Sequence, residues 1–363
     1  MQCNPDPNDP RGECETCRRV AKDSKKVVHR LPCLRWKITE ITVSRADDAR
    51  GALGLTQRWQ GFKLKDVGDW VSPETRVIQL SIGVCPNPMT IEVRKFVPRE
   101  GDVTYRRWKD GNVSKVAEIE PYALASVKRS ARSFSAYLYE NAVKGMQASA
   151  EDELVDKTVR ETYQWAIRHF KSLEVGDLSC HVADCTDLDK VPELDDEQQR
   201  EEWLFLRDVF RLWMAIRKYP QRHPVKRTGA LTRQGHTMGS SYICGDDKLG
   251  MGPKVDDKTY PLWGRVSTPR MVIAQIDSII AIEIIPPLRK KVLNTLASLI
   301  NTNKTQYWFT IYIATFLLLH NVSTISADRR RHGRANGDMV RTPDATPSLL
   351  TLSHCAVGSL RKA

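Results

Sequence analysis

No unbroken apolar run in this chain reaches the length that spans a bilayer. The longest such run, "YWFTIYIATFLLL" (307–319), is thirteen residues and is broken by threonines, whereas a membrane helix needs roughly 20. It reads as a buried core helix, and no membrane partner is expected. A secretory leader is missing as well: the first thirty residues are polar, charged and proline-rich, with no apolar segment before a small-residue cleavage site. An intracellular, thiol-reducing setting follows, in which the sequons at Asn112, Asn303 and Asn321 mean little. The signatures of catalysis are absent too. There is no H-E-x-x-H, no G-x-S-x-G and no Walker loop, because Gly245, Gly250 and Gly252 lack the Lys-Ser/Thr sequel. The chain is therefore expected not to be an enzyme.

Cysteine is sparse, with nine in 363 residues, yet four of the nine (Cys3, Cys14, Cys17 and Cys33) lie within the first 33. Cys85, Cys180, Cys185, Cys244 and Cys355 are scattered. A chain of this length buries a sufficient core without disulfides, so the cluster points to metal. Two residues separate Cys14 from Cys17, which lets both thiolates reach one ion in a tight turn, and Cys3 and Cys33 would complete a tetrahedral zinc site. The alternative is four unrelated thiols. Formal net charge is +12, from 56 Lys and Arg against 44 Asp and Glu, which fits an anionic partner such as nucleic acid.

Composition divides the chain. Residues 1–45 have almost no apolar periodicity and need a metal to hold them together. Residues 46–75 read as a linker. In 76–117, "VIQLSIGV", "TIEVRKFV" and the run from Val103 to Trp108 alternate between turn signals, which predicts a short antiparallel β segment. Residues 118–337 read as an α-helical regulatory domain of at least six helices. The first starts after Pro121 with the stripe Leu124, Val127, Ala131, Phe134, Leu138 and Ala142; the second follows Ser149; and Pro286-Pro287 separate two later ones. Within this domain "KYPQRHPVKRTGALTRQG" (218–235) reads as a disordered basic insertion, and 338–363 as a disordered tail. The expected fold class is thus mainly α: a small partial zinc module, a short antiparallel β segment, then an α-helical regulatory domain.

The N-terminal residues resemble the fungal transcription factors with a binuclear zinc cluster, in which six cysteines hold two zinc ions. Cys3 matches the third cysteine of that pattern, Cys14 and Cys17 the fourth and fifth, and Cys33 the sixth, with Pro5, Pro7 and Pro10 in the intervening loop. "PCLRWKIT" (32–39) resembles the segment after the cluster, and "SSYICGDDKLGM", "YPLWGRVSTPRM" and "PLRKKVL" look like the regulatory region of one subgroup. The first two cysteines of the pattern have no counterpart here, and the gap before Cys33 is longer than the family's commonest spacer. The resemblance therefore implies a fragment whose natural start lies upstream.

It further implies a nuclear transcription regulator that binds zinc and reads CG-rich DNA triplets, works with co-regulators and is able to form a homodimer. Cys14 would bridge the two ions. The DNA reading would be impaired here by the loss of the first two cysteines. Arg18, Arg19, Lys22, Lys25 and Lys26 would contact phosphates rather than bases. The alternative function is a protein-interaction regulator that binds no DNA and keeps a mononuclear four-cysteine zinc site. "DRRRHGR" (328–334) reads as a nuclear-import patch or as a solvated helix end.

Other candidates carry less. Cys180, His181, Asp184 and Cys185 match no strong zinc spacing, and their surroundings read as an acidic loop. His169 and His320 read as hydrogen-bonded core or boundary residues. Trp165, Trp203, Trp213, Trp263 and Trp308 are expected in the core rather than as base-stacking platforms.

Overall fold

The computed structural model describes residues 18–19, 38–41, 55–59, 64–82, 85–153, 155–173, 197–218, 241–244, 256–302 and 304–336, the side chains of residue 218 and of 325–336 excepted. Alternation sets up its central strands. In β2 (Met89–Phe96) the apolar Met89, Ile91, Val93 and Phe96 are buried while Thr90 is exposed, and Ile78 and Leu80 do the same in β1 (Trp70–Ser81). The two strands pair antiparallel from Thr75↔Arg94 to Leu80↔Met89, with an irregularity between Trp70 and Thr75. Pro73 lies in that irregular stretch, where its missing N–H costs no regular ladder bond.

The strands beyond this pair correct the expected fold class. β5 (Tyr122–Leu124) pairs with β2, β6 (Tyr242–Cys244) with β1, and β7 (Val266–Ser267) with β6, giving one antiparallel sheet in the order β5-β2-β1-β6-β7. The fold is therefore not mainly α with a short β segment ahead of a helical domain. A five-stranded sheet draws strands from both halves of the chain and shares its core with the helices. The reason it was hidden is local: β5, β6 and β7 are two or three residues long, too short for alternation to register. Leu124, assigned to a helical stripe by its spacing from Val127, is the last residue of β5. β3 (Tyr105–Asp110) and β4 (Val113–Glu118) form a separate two-stranded ribbon whose turn contains Gly111 at φ +57°. The zinc module expected over 1–45 falls almost wholly outside the described residues.

Among the described residues, six α-helices follow the ribbon. α1 (Val127–Glu151) starts where Ser126 Oγ accepts from Arg129 N–H and Asp66 accepts from Val127 N–H at 2.6 Å. α2 (Lys157–Ser172) is capped by Asp156, not by the expected residues near Ser149, which lie inside α1. α3 (Glu197–Lys218) is apolar on most sides, with Leu206, Val209, Phe210, Leu212, Trp213, Met214 and Ala215 all inaccessible. Such a helix has to be enclosed, and it packs against α1, α2, α5 and α6.

The proline pair does not separate two helices. α4 (Arg270–Ile279) runs through a π-helical turn (Ile280–Ile284) into α5 (Ile285–Thr302), with Pro286 and Pro287 in the first turn of α5. Proline cannot donate the usual helical bond, and a widened turn just upstream accommodates its ring. This 33-residue run is long and apolar enough to cross a membrane, yet 67% of its most apolar window is buried inside the fold, as befits a core helix. α6 (Trp308–Asn336) closes the bundle and carries residues 328–334 in its last turns.

One core joins the layers, from Ile78, Leu80 and Ile91 in the sheet to Phe134, Phe210, Ile276 and Leu317 in the helices. The short edge strand is held by a side chain: Gln275 on α4 accepts from Leu124 N–H at 2.7 Å.

Candidate functional site

The metal candidates Cys3, Cys14, Cys17 and Cys33 and the phosphate candidates Lys22, Lys25 and Lys26 lie outside the described residues, as do Cys180, His181, Asp184 and Cys185. Arg18 and Arg19 are described: both are helical and exposed. Downstream of Cys33, Ile38–Glu40 forms a 3-10 turn against α5, and Ile41 enters the main core. The segment that follows the cysteines is thus tied to the helical body. Among the described residues, no group of three His, Cys, Asp or Glu side chains is placed to hold a metal ion.

The most concentrated polar chemistry lies where α2, α3 and α6 meet. Arg217 near the end of α3 donates through Nη2 to the Tyr163 hydroxyl at 2.5 Å and to His320 Nδ1 at 2.6 Å, and through Nε to Asn321 Oδ1 at 3.3 Å. Trp213 Nε1 donates to the same hydroxyl at 3.2 Å. That hydroxyl has one proton to give, and His320 Nδ1, 2.8 Å away, receives it. His320 is therefore the neutral tautomer with its proton on Nε2. Burial, helped by the Arg217 charge, pushes its pKa down to about 4.

A second chain of bonds runs beside the first. His169 Nε2 lies 2.8 Å from Thr310 Oγ1, which donates in turn to Glu202. The threonine proton is committed to the carboxylate, so His169 is the donor to Thr310. Burial lowers the His169 pKa and Glu202 partly offsets this. Tyr307 donates to the adjacent Glu201 at 3.0 Å. Both histidines are hydrogen-bonded core or boundary residues, as their sequence context predicts. They staple three helices together through neutral rings and buried charges.

Elsewhere the polar groups also serve packing. Cys85 is buried with its thiol 3.8 Å from Asn141 Oδ1 and near Tyr137, whose pKa burial raises. Neither of these two neighbours is a base of the kind that activates a nucleophile. Asp277 on α4 is buried, and burial pushes its pKa up to about 8 against the opposing pull of Arg270. The tryptophans divide: Trp203 and Trp213 are in the core as expected, whereas Trp165, Trp263 and Trp308 are exposed at 56%, 38% and 52%. Trp165 on α2 and Trp308 on α6 lie on flanks those helices leave exposed, and Trp263 lies in a turn.

Sequence reasoning passed over Glu202, Asp208, Arg217 and Asp277. The signal was present as charged residues inside an apolar run such as "WLFLRDVFRLWMAIR" (203–217). A charge on the buried side of a helix requires a partner.

The family model for the KpeA transcription factor matches residues 48–347. No curated protein and no solved structure matches. The matched region takes in the whole sheet and all six helices and leaves out Cys3, Cys14, Cys17 and Cys33.

Proposed function

Because the chain belongs to the KpeA transcription factor family and is on that ground a transcription regulator, we propose that it acts in the nucleus as a zinc-dependent, sequence-specific DNA-binding protein. The family match over the helical body carries the regulatory half of this reading. The cysteine cluster carries the other half: four thiolates with a C-x-x-C step are a donor set suited to zinc, and Cys3, Cys14, Cys17 and Cys33 would hold it. Bound zinc would supply the folding energy that residues 1–45 lack in apolar side chains. Arg18 and Arg19, exposed next to Cys17, and Lys22, Lys25 and Lys26 would meet phosphates. Such contacts give affinity and salt sensitivity rather than sequence choice.

One observation favours a second reading. The family match covers residues 48–347, the body that follows the cysteines, so the support for a regulatory role rests on the body. On this reading the protein regulates through contacts with co-regulators, and its four cysteines form a mononuclear structural site. Retention of the full chain on duplex DNA carrying CG-rich triplets, measured across a salt series with and without a zinc chelator, separates the two. Chelator-sensitive retention that falls steeply with salt supports DNA binding; no retention at low salt by a zinc-loaded chain supports the second.

A further inference from the structure

On α3, three cations converge on one buried carboxylate. Asp208, whose side chain is 3% exposed, has Lys291 Nζ from α5 at 2.8 Å, Arg211 Nη1 at 3.1 Å and Arg207 Nε at 3.9 Å. From α1, Ser135 Oγ accepts from Arg211 Nη2 at 3.3 Å and the Tyr139 hydroxyl accepts from Arg207 Nη1 at 3.5 Å. Both guanidinium groups lie over the Tyr139 ring, 5.0 and 5.8 Å from its centroid, and Arg207 also lies over Trp203 at 5.1 Å.

Among the described residues, three positive charges against one negative leave an excess of two where α1, α3 and α5 meet. Water screens that excess poorly at the arginines, whose side chains are 11% and 19% exposed. The Nε–H groups of both are buried without an acceptor. A fold that needed only to neutralise Asp208 would do so with one cation. The lysine, by contrast, is 61% exposed, so the cluster opens to solvent at Lys291.

We propose that this cluster binds a small phosphate-bearing ligand, a phosphomonoester dianion. The two negative charges match the excess, and guanidinium groups beside an ammonium are the donors that recognise a tetrahedral oxyanion. Lys291 makes the first contact from the solvent side, and Arg211 and Arg207 supply the field behind it. The stacked Tyr139 and Trp203 rings hold the guanidinium planes in place. The position suits an effector: Lys291 sits on α5, the helix that also seats Ile38–Ile41, the segment following the cysteines. Binding here does not depend on whether the chain binds DNA.

The test is calorimetric titration of the full-length chain at constant ionic strength with inorganic phosphate, glycerol phosphate and succinate. Saturable binding of both phosphates is expected, with succinate weaker. Lys291→Gln should weaken phosphate about tenfold and Arg211→Gln by ten- to roughly a hundredfold, the loss of one or more charge-assisted bonds. Lys290→Gln, on an exposed neighbour outside the cluster, should leave binding unchanged. Lys291 is a surface residue, so its variant keeps the test decisive even if the arginine variant fails to fold. No saturable phosphate binding, phosphate binding indifferent to Lys291→Gln, or succinate binding the tighter of the two would each overturn the proposal.

Discussion

The Tyr163 hydroxyl and the Arg217 guanidinium meet at 2.5 Å inside the helical core, where Arg217 also reaches His320 Nδ1 and Asn321 Oδ1. A buried cation is held by a phenol, an imidazole nitrogen and an amide oxygen. Tyr163→Phe would remove the oxygen that serves both Arg217 Nη2 and Trp213 Nε1. Leaving a buried charge short of an acceptor costs roughly 3 kcal/mol. Urea unfolding of the variant should show a loss of that order with an unchanged m-value. A loss under about 1 kcal/mol would mean that the hydroxyl is a bystander.

The same junction makes stability depend on pH. His320 is neutral in the fold, its pKa lowered from 6.5 to about 4, chiefly by burial and then by Arg217. Its contribution is complete above the unfolded pKa of 6.5 and is lost as pH falls through about 4. His169, also lowered, acts in the same direction. The His320 contribution is worth roughly 3 kcal/mol across that window. Carboxylates add their own acid dependence, so the informative quantity is the difference between wild type and His320→Asn. That variant should unfold over the same window with a visibly flatter slope, and parallel curves would refute the assignment.

Asp277 has the opposite sign. Burial raises its pKa to about 8, so the folded state keeps it protonated where the unfolded state would ionise it. Folding is unpenalised below the model-compound value of 3.8, and stability is lost as pH rises from there through about 8. Asp277→Asn keeps the shape and cannot ionise. The variant should therefore be more stable than wild type near neutral pH, by roughly 4 kcal/mol, and by less than half as much near pH 5. Equal gains at the two pH values would show that ionisation is not the cause.

What was legible in the sequence follows from length. α1, α3 and α6 announce themselves because an amphipathic or apolar pattern repeats over several turns, and β1 and β2 because alternation persists. The three short strands carry no pattern of their own: Tyr122–Leu124 and Tyr242–Cys244 are strands because β2 and β1 offer them an edge, and Val266–Ser267 because β6 does. Tertiary pairing overrides local signal there, which is why a helical bundle seemed sufficient. Pro286 and Pro287 misled for a related reason, since a π-turn lets the helix continue past them. Among the polar groups, the cysteine spacing was legible at once. The Asp208 cluster was not, because Ser135, Tyr139, Arg207, Arg211 and Lys291 come together only when three helices pack.

Two cysteines offer a double dissociation between the proposed zinc module and the body. Cys85 is buried in the main core beside Asn141, so Cys85→Ser places a hydroxyl in an apolar setting and should lower the stability of the body by about 1–2 kcal/mol. It should leave zinc content untouched. Cys14→Ser should reverse the pattern: zinc lost from the purified chain, measured by atomic absorption, with the thermal transition of the body unmoved. The second half follows because the body has its own continuous core and the family match that defines it excludes Cys14. Equal zinc in the two variants would sink the four-cysteine assignment. Loss of the body transition in Cys14→Ser would instead mean that the metal holds the helices together as well.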